Sequence, residues 1–263
     1  MLARKSPAAG HARGAGRHAL TIDDVGDPHG TPVVYLHGGG DSRLSRHPDD
    51  SIAAELVVRL LAVDRCGPAL RHGTLRGWAE ATLAALPVER FAVIGWSAGG
   101  PHALALAAVA PERVSRVALV GAMPPVDLVS HLSSDVRAVM RVARVSPSVA
   151  ARGLERWGRK PTPPTGDALT DDAYARGRIE SFRSGGLWLA RELAYLGRPW
   201  GFELADVQVP VTLWWGERDR VCPPPIAYAY LERLPRAELR LLDDNHQLLF
   251  GRWREILTDV VSA

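Results

Sequence analysis

The sequence predicts an α/β protein, a mostly parallel sheet flanked by helices. Three observations carry that expectation. Short apolar runs alternate with stretches of helical spacing along the 263 residues. Several of the runs are continuously apolar rather than alternating, as suits strands covered on both faces. The rhythm breaks once, between Val120 and Val211, where helical spacing continues without a convincing strand.

Residues 1–16 read as a loose leader, basic and rich in Gly and Ala. A first strand is expected over His18–Asp24, ahead of the turn Gly26-Asp27-Pro28. Further strands are expected at Pro32–Leu36, Val57–Val63, Phe91–Gly95, Val117–Val120, Val211–Trp215 and Leu239–Leu242. The long interval is rich in Arg, Ala and Leu and is interrupted by Lys160-Pro161-Thr162-Pro163-Pro164. A structureless loop of that length is rare in a compact domain, so a helical insert is expected instead. The division is then a first core half at 1–123, an insert at 124–205 and a second core half at 206–263, one domain in all.

Composition narrows the function. Hydrophobic residues make up 46% and charged residues 23%, which allows a sizeable core and excludes wholesale disorder. The 32 basic residues exceed the 29 acidic ones by three, an excess that falls within 124–205. That is too weak and too dispersed to predict nucleic acid or an anionic membrane as a partner. The longest strongly apolar run, Ala103–Ala110, is far short of a membrane span. Two cysteines, Cys66 and Cys222, cannot make a disulfide framework and are expected to be free thiols. Met1–Arg17 has no apolar segment of the secretory kind, so the expected location is cytoplasmic. No Cys/His cluster has zinc spacing, there is no P-loop, and Gly38–Gly40 lacks the G-x-G-x-x-G spacing. No metal or cofactor is expected. A small molecule is the expected partner, and homo-oligomerisation is left open.

The chemistry is carried first by Gly95-Trp96-Ser97-Ala98-Gly99-Gly100. G-x-S-x-G alone is a weak pattern. Here a buried strand runs into it and a helix of small residues leaves it, with Pro101 in the first helical turn. Such a sharp strand-to-helix turn holds the serine in a strained conformation with its Oγ presented, and the neighbours two residues away must be small. The second signal is His37-Gly38-Gly39-Gly40, directly after a strand. Acyl transfer develops a negative oxygen that needs two preorganised N–H donors. The amides of Ala98 and Gly39 are the candidates. His37 reads as a brace for the glycine loop rather than a base.

These segments, with Ala62-Val63-Asp64-Arg65, Gly216-Glu217-Arg218-Asp219 and Asn245-His246, resemble the α/β-hydrolase fold superfamily in its serine-hydrolase branch. The resemblance runs from residue 18 to about 260. It implies an eight-stranded, mostly parallel sheet, a helical lid after the sixth strand, and the chain order nucleophile, acid, histidine. Of nine histidines, His246 holds the family's position for the base, after a strand and before Leu248-Leu249-Phe250. His102 lies near the motif, on a helix that points away from Ser97. Asp219, in a Gly-led turn before Pro223, matches the family's acid, and Asp127 is the rival used by some members. The sequence departs from the pattern at Asn245, where Gly is usual, and at Cys66-Gly67-Pro68-Ala69, which lacks the usual aromatic.

The expected function is therefore a serine hydrolase. Its substrate would be a small carboxylic ester, thioester, amide or related acyl bond, cleaved through an acyl-Ser97 intermediate. Trp96, Trp157, Trp188 and Trp200 are candidates to line the substrate site. Acyl transfer, a proline-releasing aminopeptidase and a non-catalytic receptor are the alternatives. The aminopeptidase would need carboxylates such as Asp127, Asp135 or Glu180 to hold a substrate ammonium.

Overall fold

The structure, a computed structural model, describes residues 20–65 and 73–262. Seven strands form one sheet: β1 (Ile22–Gly26), β2 (Thr31–Leu36), β3 (Val58–Val63), β4 (Phe91–Trp96), β5 (Val114–Val120), β6 (Val211–Gly216) and β7 (Ala237–Leu242). Their order is β1-β3-β2-β4-β5-β6-β7, and only the β1–β3 pairing is antiparallel. Each strand expected from the sequence is present, with β1 starting later than His18. Among the described residues the sheet has seven strands, against the eight that the resemblance implies. Among the described residues the first strand is β1, whose antiparallel partner β3 is already followed on its other side by β2. Among the described residues the helical insert follows the fifth strand. The leader at 1–16 and the loop at Cys66–Ala69 lie outside the described residues.

The continuous apolar runs have the expected cause. Successive side chains alternate between the two faces, and both faces are covered. Val34, Leu36, Leu61, Val63, Val93 and Leu119 enter one buried cluster; Val33, Tyr35, Leu60, Ala62, Ile94 and Val120 enter the other. The first face is covered by α2 (Leu75–Ala85), α3 (Gly99–Val109) and α8 (Pro224–Arg233). The second is covered by α1 (Ser51–Glu55), α9 (Leu248–Gly251) and α10 (Trp253–Val261). Residues Gly99 to Ala107 of α3 are all buried, because α3 packs on β2, β4 and β5 and is roofed by α2.

Between β5 and β6 the chain forms a 3-10 turn at Val126–His131 and four helices: α4 (Ser134–Val145), α5 (Pro147–Gly158), α6 (Ala168–Ser181) and α7 (Leu187–Leu196). No helix among the described residues is long and apolar enough to cross a membrane. Because β2, β3, β4, β5, β6 and β7 run parallel, the loops that follow them all emerge at one edge of the sheet. The segments carrying His37–Gly40, Ser97, Asp219 and His246 are therefore brought together, although up to 209 positions, from His37 to His246, separate them in sequence.

One strained residue lies away from that edge. Val57, between α1 and β3, has φ 53° and is 56% exposed. Its carbonyl accepts from Thr31 N–H at 2.8 Å. A left-handed conformation costs a β-branched residue about 1–2 kcal/mol, and glycine's greater unfolded-state freedom offsets about 0.5–1 of the relief. Val57→Gly should therefore stabilise the protein by about 0.5–1 kcal/mol, read as a higher urea midpoint at unchanged slope. A lower midpoint would remove the strain argument.

Candidate active site

Ser97 sits at the turn from β4 into α3 with φ 52°, the left-handed region that L-residues rarely occupy. Three backbone hydrogen bonds hold it. Ser97 N–H donates to Val120 O at 2.9 Å, and Ser97 O accepts from the N–H groups of Gly100 and Met123, both at 3.0 Å. The motif's glycines follow from contact. A Cβ on Gly95 would lie 2.6 Å from Gly99 O, and one on Gly99 would strike the carbonyls of Leu36 and His37. The N-terminus of α3 points at the serine with its partial positive charge.

His246 Nε2 lies 3.0 Å from Ser97 Oγ, and His246 Nδ1 lies 2.7 Å from Asp219 Oδ2. The three residues are 7–8% and 3% exposed for His246, Ser97 and Asp219 respectively. The other carboxylate oxygen, Asp219 Oδ1, accepts from the N–H groups of Val221 at 2.8 Å and Cys222 at 2.9 Å. Anchored in this way, the carboxylate keeps the Nδ1 proton on the imidazole and leaves Nε2 free to accept from the serine hydroxyl. Backbone bonds tie the two loops together: Glu217 N–H to Leu242 O at 2.8 Å and Arg218 N–H to Asp244 O at 2.9 Å. Trp96 Nε1–H donates to His246 O at 3.0 Å and supports that loop from below. Asn245, at the position where glycine is usual, has no positive φ.

Gly121, which the sequence analysis did not single out, closes the back of this group. A Cβ there would lie 3.0 Å from Asp219 Oδ2 and 3.2 Å from His246 Nδ1. Its φ is 49°, and the available sequence signal was a glycine directly after the strand run Val117–Val120.

The rivals are engaged elsewhere. Asp127 is half exposed and pairs with Arg233 at 2.6 Å. His102 is fully buried on α3. Its Nδ1 lies 2.8 Å from Ala98 O and its Nε2 lies 2.6 Å from Tyr195 Oη. Burial, then the charge of Arg65, hold its imidazole well below the usual range, so it is neutral. His37 is buried and held neutral by the same two causes. Its Nε2 accepts from Arg65 N–H at 3.2 Å and its Nδ1 lies 2.8 Å from Gly38 O, so it braces the glycine loop as expected. Cys222 is buried and free, and burial pushes its thiol up. Cys66 lies outside the described residues.

Of the four tryptophans, Trp96 and Trp157 lie against the glycine loop: a Cβ on Gly38 would come within 3.0 Å of the Trp96 ring. A Cβ on Gly40 would meet the Trp157 ring, and the Arg178 guanidinium stacks 4.0 Å from that ring's centre. Trp188 is buried and donates to Ser181 O at 2.9 Å. Trp200 is buried, donates to Leu196 O at 3.2 Å and packs on Phe202. The indole N–H groups of Trp96, Trp188 and Trp200 are thus each satisfied by a backbone carbonyl. Sequence reasoning missed the buried charges around the loop: Arg178 with Asp41 at 3.4 Å, and Arg65 with Glu192 at 3.0 Å. The available signal was Glu192 in the run Leu187–Leu196, apolar apart from Glu192 and the adjacent Arg191, since a charge there is buried only with a partner.

The model of the alpha/beta hydrolase fold family matches residues 31–252. The chain belongs to that family. Among curated relatives it is 30% identical to a pimeloyl-[acyl-carrier protein] methyl ester esterase of Aromatoleum aromaticum, over 81% of this chain and 89% of the relative. It is 32% identical to a proline iminopeptidase of Xylella fastidiosa, over 40% of this chain and 36% of that one. Among solved structures, an esterase of Rhodococcus superposes with a TM-score of 0.65 at 23% identity, over 92% of this chain and 94% of that one. This alpha/beta hydrolase fold protein therefore shares its architecture with enzymes of several named activities, and the site must decide among them.

Asp41 gives a pH test of the buried charges. Burial pushes its carboxyl up to about 6, against the opposing pull of the Arg178 guanidinium. The folded protein holds that proton more tightly than the unfolded chain does. The stability it contributes is present below the unfolded value and is lost as pH rises through about 6. Asp41→Asn should therefore gain on wild type, by on the order of 2 kcal/mol, between pH 4.5 and pH 7.5. Paired melting curves at the two pH values check it, and a stability difference independent of pH would refute it.

Proposed function

We propose that this chain is a serine hydrolase that cleaves a small carboxylic ester or related acyl bond through an acyl-Ser97 intermediate. The observation that carries the reading is the unbroken line from Ser97 Oγ to His246 to Asp219, at 3.0 and 2.7 Å, with Ser97 on a left-handed turn at a helix N-terminus. In the first step Ser97 Oγ bonds to the carbonyl carbon while His246 Nε2 takes the hydroxyl proton. Asp219 stabilises the imidazolium. The amides of Ala98 and Gly39 receive the developing oxyanion. His246 then returns the proton to the departing alcohol, and water repeats the sequence to release the acid.

The ester reading draws support from the named activity of the Aromatoleum relative. The aminopeptidase reading has less support. Of the insert carboxylates that could hold an ammonium, Asp127 is paired with Arg233, and Glu180 with Arg183 and Arg43. The expected cytoplasmic location and the small-molecule partner belong to the same proposal.

A fluorophosphonate should add a single adduct on the peptide containing Ser97, and Ser97→Ala should abolish it. An adduct that persists in that variant would sink the reading. Asp219→Asn should keep the fold and lower kcat by roughly 10²- to 10⁴-fold, because the imidazole loses its fixed tautomer. Asp127→Asn, which breaks only a surface pair, should cost less than about tenfold. Steady-state kinetics on both variants would reverse the assignment of the acid if Asp127→Asn were the crippled one.

A further inference from the structure

We propose that the buried Arg65–Glu192 pair sets the plane of the Gly38–Gly39 peptide and so aims the Gly39 amide at the reacting carbonyl oxygen. The inference rests on the serine-hydrolase reading. A peptide unit is planar and trans, so its C=O and N–H point in opposite directions. Gly39 N–H is therefore aimed by whatever holds Gly38 O. That oxygen is held by Arg65 Nη2 at 3.2 Å and by His37 Nδ1 at 2.8 Å. Arg65 Nη1 donates to His37 O, the carbonyl one residue before.

The guanidinium is itself held from the insert. Its Nε donates to Glu192 Oε1 at 3.0 Å and its Nη2 to Glu192 Oε2 at 3.1 Å, and both side chains are fully buried. Glu192 lies on α7, 127 residues further along the chain. One planar fork thus spans two loop carbonyls on one side and an insert carboxylate on the other. An ammonium cannot reproduce that arrangement, because it lacks the fixed directions of the guanidinium donors.

The second donor is aimed by the same principle. The peptide carrying Ala98 N–H has Ser97 O as its carbonyl, and that oxygen is held by Gly100 and Met123. The helix carrying this peptide is in turn fixed by His102, whose Nδ1 lies 2.8 Å from Ala98 O and whose Nε2 lies 3.5 Å from Glu192 Oε1. Glu192 thus lies beside the side chains that hold both peptides, 3.0 Å from Arg65 and 3.5 Å from His102, whose Nε2 bonds Tyr195 Oη.

A purely structural role makes a different prediction. Replacing a buried ion pair with apolar residues of similar volume is often neutral for stability. In the double variant Arg65→Met/Glu192→Leu, a packing role leaves both fold and turnover intact. A positioning role leaves the fold and keeps KM for a short-chain p-nitrophenyl ester within about threefold, while kcat falls about 10²-fold, the scale of one lost oxyanion donor. Arg65→Lys keeps the charge and loses the fork. It should lower kcat at least about tenfold with KM near wild type. A boronic acid, which bonds to the serine as a tetrahedral anion, should lose affinity in step with kcat, while the product acid should not. A kcat within threefold of wild type in either folded variant would overturn the proposal. So would loss of fold in both, since the pair would then hold the fold rather than one amide. Labelling of wild-type Ser97 separates the two levels. Unlabelled Ser97 sinks the hydrolase reading itself, whereas labelled Ser97 with normally active variants sinks only the role of Arg65 and Glu192.

Discussion

The left-handed backbone at Ser97 is the constraint on which the rest of the site depends. An L-residue in that conformation costs about 1–2 kcal/mol, and it persists only where the surroundings over-determine it. Here the surroundings are the β5 carbonyl of Val120, the amides of Gly100 and Met123, and the approach of α3 to the strand ends that excludes any Cβ at Gly95 and Gly99. The geometry of the hydroxyl, its distance to His246 and the direction of the Ala98 amide all follow from that one turn.

The sheet supplies the second requirement. Six parallel strands deliver their following loops to one edge, and direct backbone bonds tie the β6 and β7 loops to each other. Asp219 is held by two amides as well as by His246, so the imidazole meets a fixed partner. Gly121 leaves the space in which the two side chains meet.

The insert is docked onto the glycine loop by charges rather than resting on it as a loose cover. Arg178 of α6 reaches Asp41, and Glu192 of α7 reaches Arg65, with all four side chains no more than 5% exposed. Gly177 closes against Ser45 between them. Breaking a buried pair by removing one partner costs about 3–5 kcal/mol, so the two helices are not free to swing away from the loop. Glu192 is pushed up by burial against the pull of Arg65, and His37 and His102 beside it are held neutral. The result is a buried polar layer beneath the glycine loop, in which each group is directed by a neighbour.

The sequence by itself determined what depends on local pattern. Continuous apolar runs marked the strands because both faces of the sheet are covered, and Gly95-Trp96-Ser97-Ala98-Gly99 marked the elbow because only small residues survive the turn. Asp219 and His246 were legible because each follows a strand at a short, fixed interval. Three things were decided only by tertiary structure. The strand count follows from pairing along the sheet edge, and the family pattern implied one strand more than the described residues contain. The roles of Trp188 and Trp200 follow from which way the insert helices face, and helical spacing alone does not say that. Arg65 and Glu192 meet across 127 residues, and no local pattern records which distant charge a buried guanidinium will find. Chain periodicity reports which face of an element is buried. It does not report what lies on the other side of the contact, and the direction of the amides at this site is set there.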